Sequence, residues 1–235
     1  MNRLAPLPLS PAAAAWKADL GRRFWRYLPL KFVGISAFMW LFFLGYFQTL
    51  RFPVHPVLEM PLTALDRLIP FQPQALFVYV SLWLYVGIAP GLLLTLRELI
   101  VYGIWAAALC ITGLALFHFW PTAVPARLVD VTGLPGFVLL QGVDAAGNAC
   151  PSLHVATAMF TAFWIDRLLR IVQTPTAVRW LNALWFVAIA WSTVAIRQHV
   201  VLDAVAGAAL GAAFAMVAMR CSTKVGMGQG QGRRR

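Results

Sequence analysis

Two short stretches of this chain hold residues whose types and spacing could do chemistry. His199 and Asp203 stand four positions apart, so on a helix both project from one face, a turn from each other. A carboxylate accepting from one imidazole nitrogen fixes the tautomer and leaves the other nitrogen's lone pair as a nucleophile or base. The second stretch, Pro151-Ser152-Leu153-His154, places another imidazole at a helix start. There Pro costs no hydrogen bond in the first turn, and the opening amides with the helix dipole favour an anion. Ser152 adds a hydroxyl donor. Two imidazoles, one acid and an anion-binding helix start suit the handling of a phosphate ester. The plain alternatives are a structural His–Asp pair and a purely structural Ser152 cap.

The remaining titratable residues are few. Asp19, Glu59, Asp66, Asp130 and Asp144 fall in flanking or loop stretches, while Glu98 and Asp166 adjoin Arg97 and Arg167. All seven read as solvated or paired charges. Asp203 differs, because it lies about one turn inside an apolar run, where an ionisable group is unfavourable and by default functional. His118 and His55 read as interfacial or loop residues. Cys110, Cys150 and Cys221 make neither a disulfide framework nor a metal spacing, so no metal or cofactor is expected.

The elements that must position these residues follow from composition. Of 235 residues, 61% are apolar and 11% charged, against roughly 25% charged in a soluble domain. Mean hydropathy is +0.75. A water-soluble globule is excluded. A bilayer core needs about 20 apolar residues per helix, and six stretches approach this: Lys31 to Gln48, Leu76 to Leu96, Leu99 to Phe119, Ser152 to Val172, Trp180 to Ile196 and Val200 to Met219. They must be helices, since lipid offers no partner to an open backbone. The expected fold is all-α, a polytopic bundle of six transmembrane helices over residues 31–220. A basic cytoplasmic segment, 1–30, precedes it, and a disordered basic tail, 221–235, follows. The first span is expected to be retained, because no small-residue cleavage site follows it. Two long connections, Arg51 to Gln74 and Trp120 to Pro151, fall on one side. Within the first, the amphipathic stretch Val57 to Ile69 reads as a short interfacial helix.

The net charge of +11 would suggest nucleic acid in a polar protein. Here position along the chain decides its meaning. With a cytoplasmic N-terminus, the inside collects Arg3, Lys17, Arg22, Arg23, Arg26, Lys31, Arg97, Arg167, Arg170, Arg179, Arg220, Lys224, Arg233, Arg234 and Arg235, which is 15 of 19 basic residues. Only Arg51, Arg67, Arg127 and Arg197 stay outside. The excess is a topology signal, and no nucleic-acid partner is expected. Both termini are then cytoplasmic, and His154, His199 and Asp203 share the outer membrane face, near Arg127 and Arg197.

The stretches Asn148-Ala-Cys-Pro-Ser-Leu-His154 and Ser192-Thr-Val-Ala-Ile-Arg-Gln-His199-Val-Val-Leu-Asp203-Ala-Val-Ala-Gly207 resemble the second and third signature motifs of the type 2 phosphatidic acid phosphatase superfamily. The resemblance implies that His199 is the nucleophile, Asp203 its orienting acid and His154 the general acid. It departs at Thr193, where the family's third motif commonly has Arg, and the first motif, Lys-x6-Arg-Pro, is absent. Pro121-x3-Pro125-Ala126-Arg127 is instead similar to the variant in the inositol phosphorylceramide synthase-like branch, where Lys, Arg or Gly often stands at the Arg197 position. Arg127 and Arg197, with Ser152, are thus the expected phosphate ligands. The implied activity is metal-independent hydrolysis of a membrane lipid phosphate or pyrophosphate through a phosphohistidine, at the extracytoplasmic face of the cell membrane. Head-group transfer is the runner-up. A lipid transporter or a structural scaffold are the readings from other classes, and a transporter would instead place its sites at the midplane on broken helices.

Overall fold

The computed structural model describes residues 11–52, 54–125, 136–137 and 147–228. These are mostly helical: α1 (Pro11–Trp25), α2 (Leu28–Arg51), α3 (Ala64–Leu68), α4 (Leu76–Val80), α5 (Leu82–Leu92), α6 (Leu96–Phe119), α7 (Leu153–Ile171), α8 (Thr176–Ala195) and α9 (Val201–Gly228). Local chemistry sets several starts. Pro29 opens α2, a capping box of Thr95 and Glu98 opens α6, Ser152 caps α7, and Pro175 precedes α8. A 3-10 turn, Pro73–Ala75, leads into α4, which continues through Ser81 into α5. The last helix runs to Gly228, past the expected start of a disordered tail at Cys221.

Among the described residues, five helical segments are long and apolar enough to cross a membrane: Leu28–Arg51, Pro73–Leu92, Leu96–Phe119, Thr176–Ala195 and Val201–Cys221. The stretch expected as a sixth span forms α7, which is not among these five and carries Asp166, Arg167 and Arg170 in its second half. It is the buried centre of the bundle, packed against α5, α6, α8 and α9, with Leu153, Val155, Ala156, Ala158 and Phe160 all buried. Asp166 is bonded by Arg170 and Arg179, each Nε at 2.7 Å, at the end of α7 away from His154.

Close approach of α9 to α7 rests on two glycines. A methyl group on Gly207 would stand 2.3 Å from the Ser152 carbonyl oxygen, and one on Gly211 2.2 Å from that of Ala156. Only glycine permits that backbone contact, the small-xxx-small device of membrane helices. Polar bonds also tie α5, α8 and α7 together: the Tyr85 hydroxyl donates to Asn182 Oδ1 at 2.7 Å, and Asn182 Nδ2 donates to the Ala162 carbonyl at 3.0 Å.

The loops at one end of the bundle are tied together by a small parallel pair, β1 (Leu58–Glu59) and β2 (Thr122–Ala123), so the described fold is not purely helical. Thr122 also pins the approach to α7. Its carbonyl accepts from the amides of Gly147 and Ala149 at 3.1 and 3.0 Å, and its hydroxyl from that of Cys150 at 2.8 Å. The expected interfacial helix over Val57 to Ile69 is only Ala64–Leu68. Pro61 breaks the earlier part, and Leu58 and Glu59 give their backbone to the strand pair.

Candidate active site

Chain direction brings the two motifs together. Helices α2 and α6 end, and α4, α7 and α9 begin, at one end of the bundle, so His154 in the first turn of α7 faces the turn between α8 and α9. His199 Nε2 lies 3.4 Å from His154 Nδ1. On its other side His199 Nδ1 lies 3.5 Å from Asp203 Oδ2, within ion-pair reach but long for a hydrogen bond. His199 is 6% exposed and Asp203 fully buried. His199 Nδ1 and Asp203 Oδ1 are buried without a hydrogen-bond partner among the described residues. Asp203 Oδ2 meanwhile accepts from the Val200 amide at 3.0 Å, which caps the start of α9.

The turn carrying His199 has a physical explanation. After α8, the amide of Arg197 bonds to the Val194 carbonyl and that of Gln198 to the Thr193 carbonyl, both at 3.0 Å. Arg197 lies between them with φ +60°. This is a Schellman ending with Arg197 at the left-handed position, which glycine occupies without strain. The His199 amide also bonds to the Thr193 carbonyl, at 3.1 Å. Thr193, standing where the family motif commonly has Arg, is itself fully buried.

The expected ligands fare differently. Arg197 donates through both terminal nitrogens to the carbonyls of Asp66 and Ile69, each at 2.8 Å. Two of the five N–H groups of its guanidinium therefore hold the α3 loop against the site. Ser152 is fully buried. Its Oγ accepts from the Val155 amide at 3.3 Å, and its own amide donates to the Asp203 carbonyl at 3.0 Å. It is the cap that bolts α7 to α9, and Pro151 stands before that cap, not in the first turn. Arg127 lies outside the described residues. Arg97 is at the opposite end of α6 from the site.

Three contributions went unread in the sequence. Tyr79 on α4 is bonded to His154, hydroxyl oxygen to Nε2, at 2.7 Å. Asp66 is 1% exposed, not a solvated loop charge. Its Oδ1 accepts from the Val201 amide at 2.8 Å, and its Oδ2 from the Thr63 amide and hydroxyl at 2.7 and 2.6 Å. The Thr63-x-x-Asp66 spacing of a capping box was the available signal. The third is the Gly207-x3-Gly211 pair, a recognisable helix-contact motif.

A cavity of about 1070 Å³ adjoins His154. Its lining is apolar apart from a few groups, and it runs from His154, Tyr79 and Asn148 at the site end to Lys31, Pro90 and Leu96 at the opposite end of the bundle. Lys31 is tied there, its Nζ donating to the carbonyls of Arg23 and Gly91 at 2.6 and 2.7 Å.

The family model of the PAP2 superfamily, the type 2 phosphatidic acid phosphatases, matches residues 99–227. The chain belongs to the PAP2 superfamily. The matched region contains α6 to α9 nearly whole and both histidine motifs, while Asp66, Tyr79 and most of the cavity wall contributed by α2, α4 and α5 lie outside it. The match is to the superfamily as a whole and singles out no branch. No curated protein and no solved structure shows significant similarity to the chain.

Proposed function

We propose that the protein is an integral membrane phosphatase that hydrolyses a lipid-linked phosphate or pyrophosphate through a phosphohistidine, without a metal ion, at the extracytoplasmic face. The observation that carries this reading is the line Asp203, His199, His154 ending at the mouth of a long apolar cavity. The cavity suits a lipid chain and the line suits phosphoryl transfer. Asp203 takes the Nδ1 proton of His199 as a hydrogen bond, so the lone pair sits on Nε2. That nitrogen forms a bond to phosphorus as the bond from phosphorus to the lipid oxygen breaks, and the proton on His154 Nδ1 passes to the departing oxygen. In the second step His154 Nδ1 takes a proton from water as the water oxygen attacks phosphorus, and the phosphorus–nitrogen bond breaks with its electrons returning to Nε2. The first amides of α7, the Ser152 hydroxyl and the charges of Arg127 and Arg197 are the proposed stabilisers of the phosphate oxygens.

A phosphate does not fit between ring nitrogens 3.4 Å apart. An attack distance of about 3 Å, a phosphorus–oxygen bond of about 1.6 Å and a hydrogen bond of about 2.8 Å must lie along that line, so substrate has to part the rings by roughly 4 Å. The contact is a resting state. Transfer to a hydroxyl of another lipid or a polyol is the second reading, favoured by the burial of His199, which restricts water at the nucleophile.

The test is turnover by purified protein in detergent, without added metal, of phosphatidic acid, lysophosphatidic acid, a polyprenyl pyrophosphate, and ceramide mixed with phosphatidylinositol. Phosphate release is expected from at least one of the first three. A new phosphorylated lipid without phosphate release would give the second reading. No turnover of any, or full activity in His199→Ala and His154→Ala, sinks both.

A further inference from the structure

We propose that Tyr79 is a positioning residue, which fixes the tautomer of His154 and so decides which nitrogen carries the transferable proton. The inference rests on the phosphohistidine reading for its kinetic consequence only. The geometry itself restricts where protons lie. Asp203, as a carboxylate, only accepts, so the His199 nitrogen facing it must carry hydrogen and His199 Nε2 must present its lone pair. His154 Nδ1, 3.4 Å away, then has to be the N–H, because two facing lone pairs repel. The neutral ring of His154 has one remaining nitrogen, Nε2, which must be an acceptor. The hydroxyl of Tyr79, at 2.7 Å, donates to it. Reversing the polarity of any one of these contacts sets like groups face to face at the next.

Tyr79 is built to hold that bond. It is 5% exposed, and its ring lies against that of His154 with centroids 4.9 Å apart. Trp83, one turn on, meets the same imidazole edge-on at 6.2 Å. His154 is thus enclosed by a phenol, an indole and His199, and Tyr79 is the neighbour that meets Nε2. Without the hydroxyl, Nε2 is free to take the proton itself. His154 Nδ1 would then present a lone pair to the leaving oxygen and could not act as its acid.

Tyr79→Phe keeps the ring and removes the bond. Two readouts test the proposal. The first needs no substrate: nitrogen-15 spectra of histidine-labelled protein at about pH 8, above the ordinary imidazole value near 6.5, with His154 assigned by the resonance lost in His154→Gln. The wild type is expected to hold the proton on Nδ1 and Tyr79→Phe to populate the Nε2–H form. The second is kinetic, on whichever substrate the wild type turns over. It should show kcat lowered by tenfold or more, up to the roughly 10²- to 10⁴-fold effect of losing a general acid outright, and KM within about twofold. A merely structural loss would not change the tautomer of a folded protein or spare KM. An unchanged tautomer overturns the proposal, as does an unchanged kcat. If the wild type turns over nothing, the phosphatase reading fails and the spectra alone decide whether Tyr79 sets the tautomer.

Discussion

Asp203 meets three demands at once. Its Oδ2 accepts the Val200 amide at the start of α9, the same carboxylate faces His199 Nδ1, and its backbone carbonyl accepts the Ser152 amide from α7. Asp203→Asn retains an oxygen for Val200 and leaves the backbone bond untouched, so folding should survive. It removes the charge that stabilises an imidazolium, and an amide nitrogen turned to His199 would favour the wrong tautomer. A fall in kcat of about 10²- to 10⁴-fold with little loss of thermal stability is expected, measured by turnover and by melting in detergent. Asp66 is the contrasting acid, acting on structure. Burial alone would raise its pKa, yet hydrogen bonds from the Thr63 hydroxyl, the Val201 amide and the Thr63 amide, with the charge of Arg197, hold it below the ordinary value. A depressed folded pKa stabilises the fold above the unfolded value near 3.9, and that contribution disappears as pH falls through the lower, folded value. Melting of the wild type should therefore drop more steeply below about pH 4 than that of Asp66→Asn. Equal acid slopes in the two proteins would show that Asp66 does not hold the loop. The two acids also mark what was legible. Asp203 stood out because nothing polar surrounds it but His199. Asp66 sits among prolines and other loop residues, where an acid ordinarily meets water, and its burial depends on Arg197, more than a hundred residues away. Tyr79 was hidden for a similar reason, since a phenol near a membrane surface is ordinarily an interfacial anchor.

At the scale of elements, the distance between the two histidines is set by how closely α9 lies on α7. Gly207 and Gly211 set it, since an added methyl at either meets backbone, which cannot swing aside as a side chain does. Gly207→Ala should part the helices beside Ser152, lowering stability by about 1–3 kcal/mol and turnover by more than the melting shift alone accounts for. Gly87→Ala on α5, where a methyl meets nothing within 4 Å, should be neutral or slightly stabilising in the same assays. If both variants behave alike, the close crossing is not what aligns the site. The positions of the helices were largely readable from apolar run length, because lipid demands closed backbones. Their packing was not. The run Ser152 to Val172 looks like the other spans in sequence, yet α7 is the helix that α5, α6, α8 and α9 surround, and its Asp166 and Arg170 are held by an ion-pair cluster with Arg179. Hydropathy counts apolar residues without recording whether they meet lipid or protein. The tie between β1 and β2 was also invisible, because it is made of backbone and two residues on each strand are too few for a periodic pattern.

The whole molecule has two ends of different chemistry. The site end gathers His154, His199, Asp203 and the loop ties through Thr122 and Arg197. The other carries most of the described basic residues, with Asp166 and Glu98 taken up by an ion-pair cluster and a helix cap. The two long connections, between α2 and α4 and between α6 and α7, both lie at the site end, where the turn from α8 to α9 is nearly as short as the connections at the other end. If basic residues mark the cytoplasm, the site faces outward and Cys221, exposed late in α9, lies inside. That orientation has a direct test. In a Cys110→Ser, Cys150→Ser background, a membrane-impermeant maleimide applied to intact cells should leave Cys221 unlabelled until the membrane is opened, while a Glu59→Cys variant, exposed on β1, should react at once. Labelling of Cys221 from outside would invert the molecule. The apolar cavity would then open its catalytic end toward the cytoplasmic leaflet, and the lipid phosphate would have to come from that side.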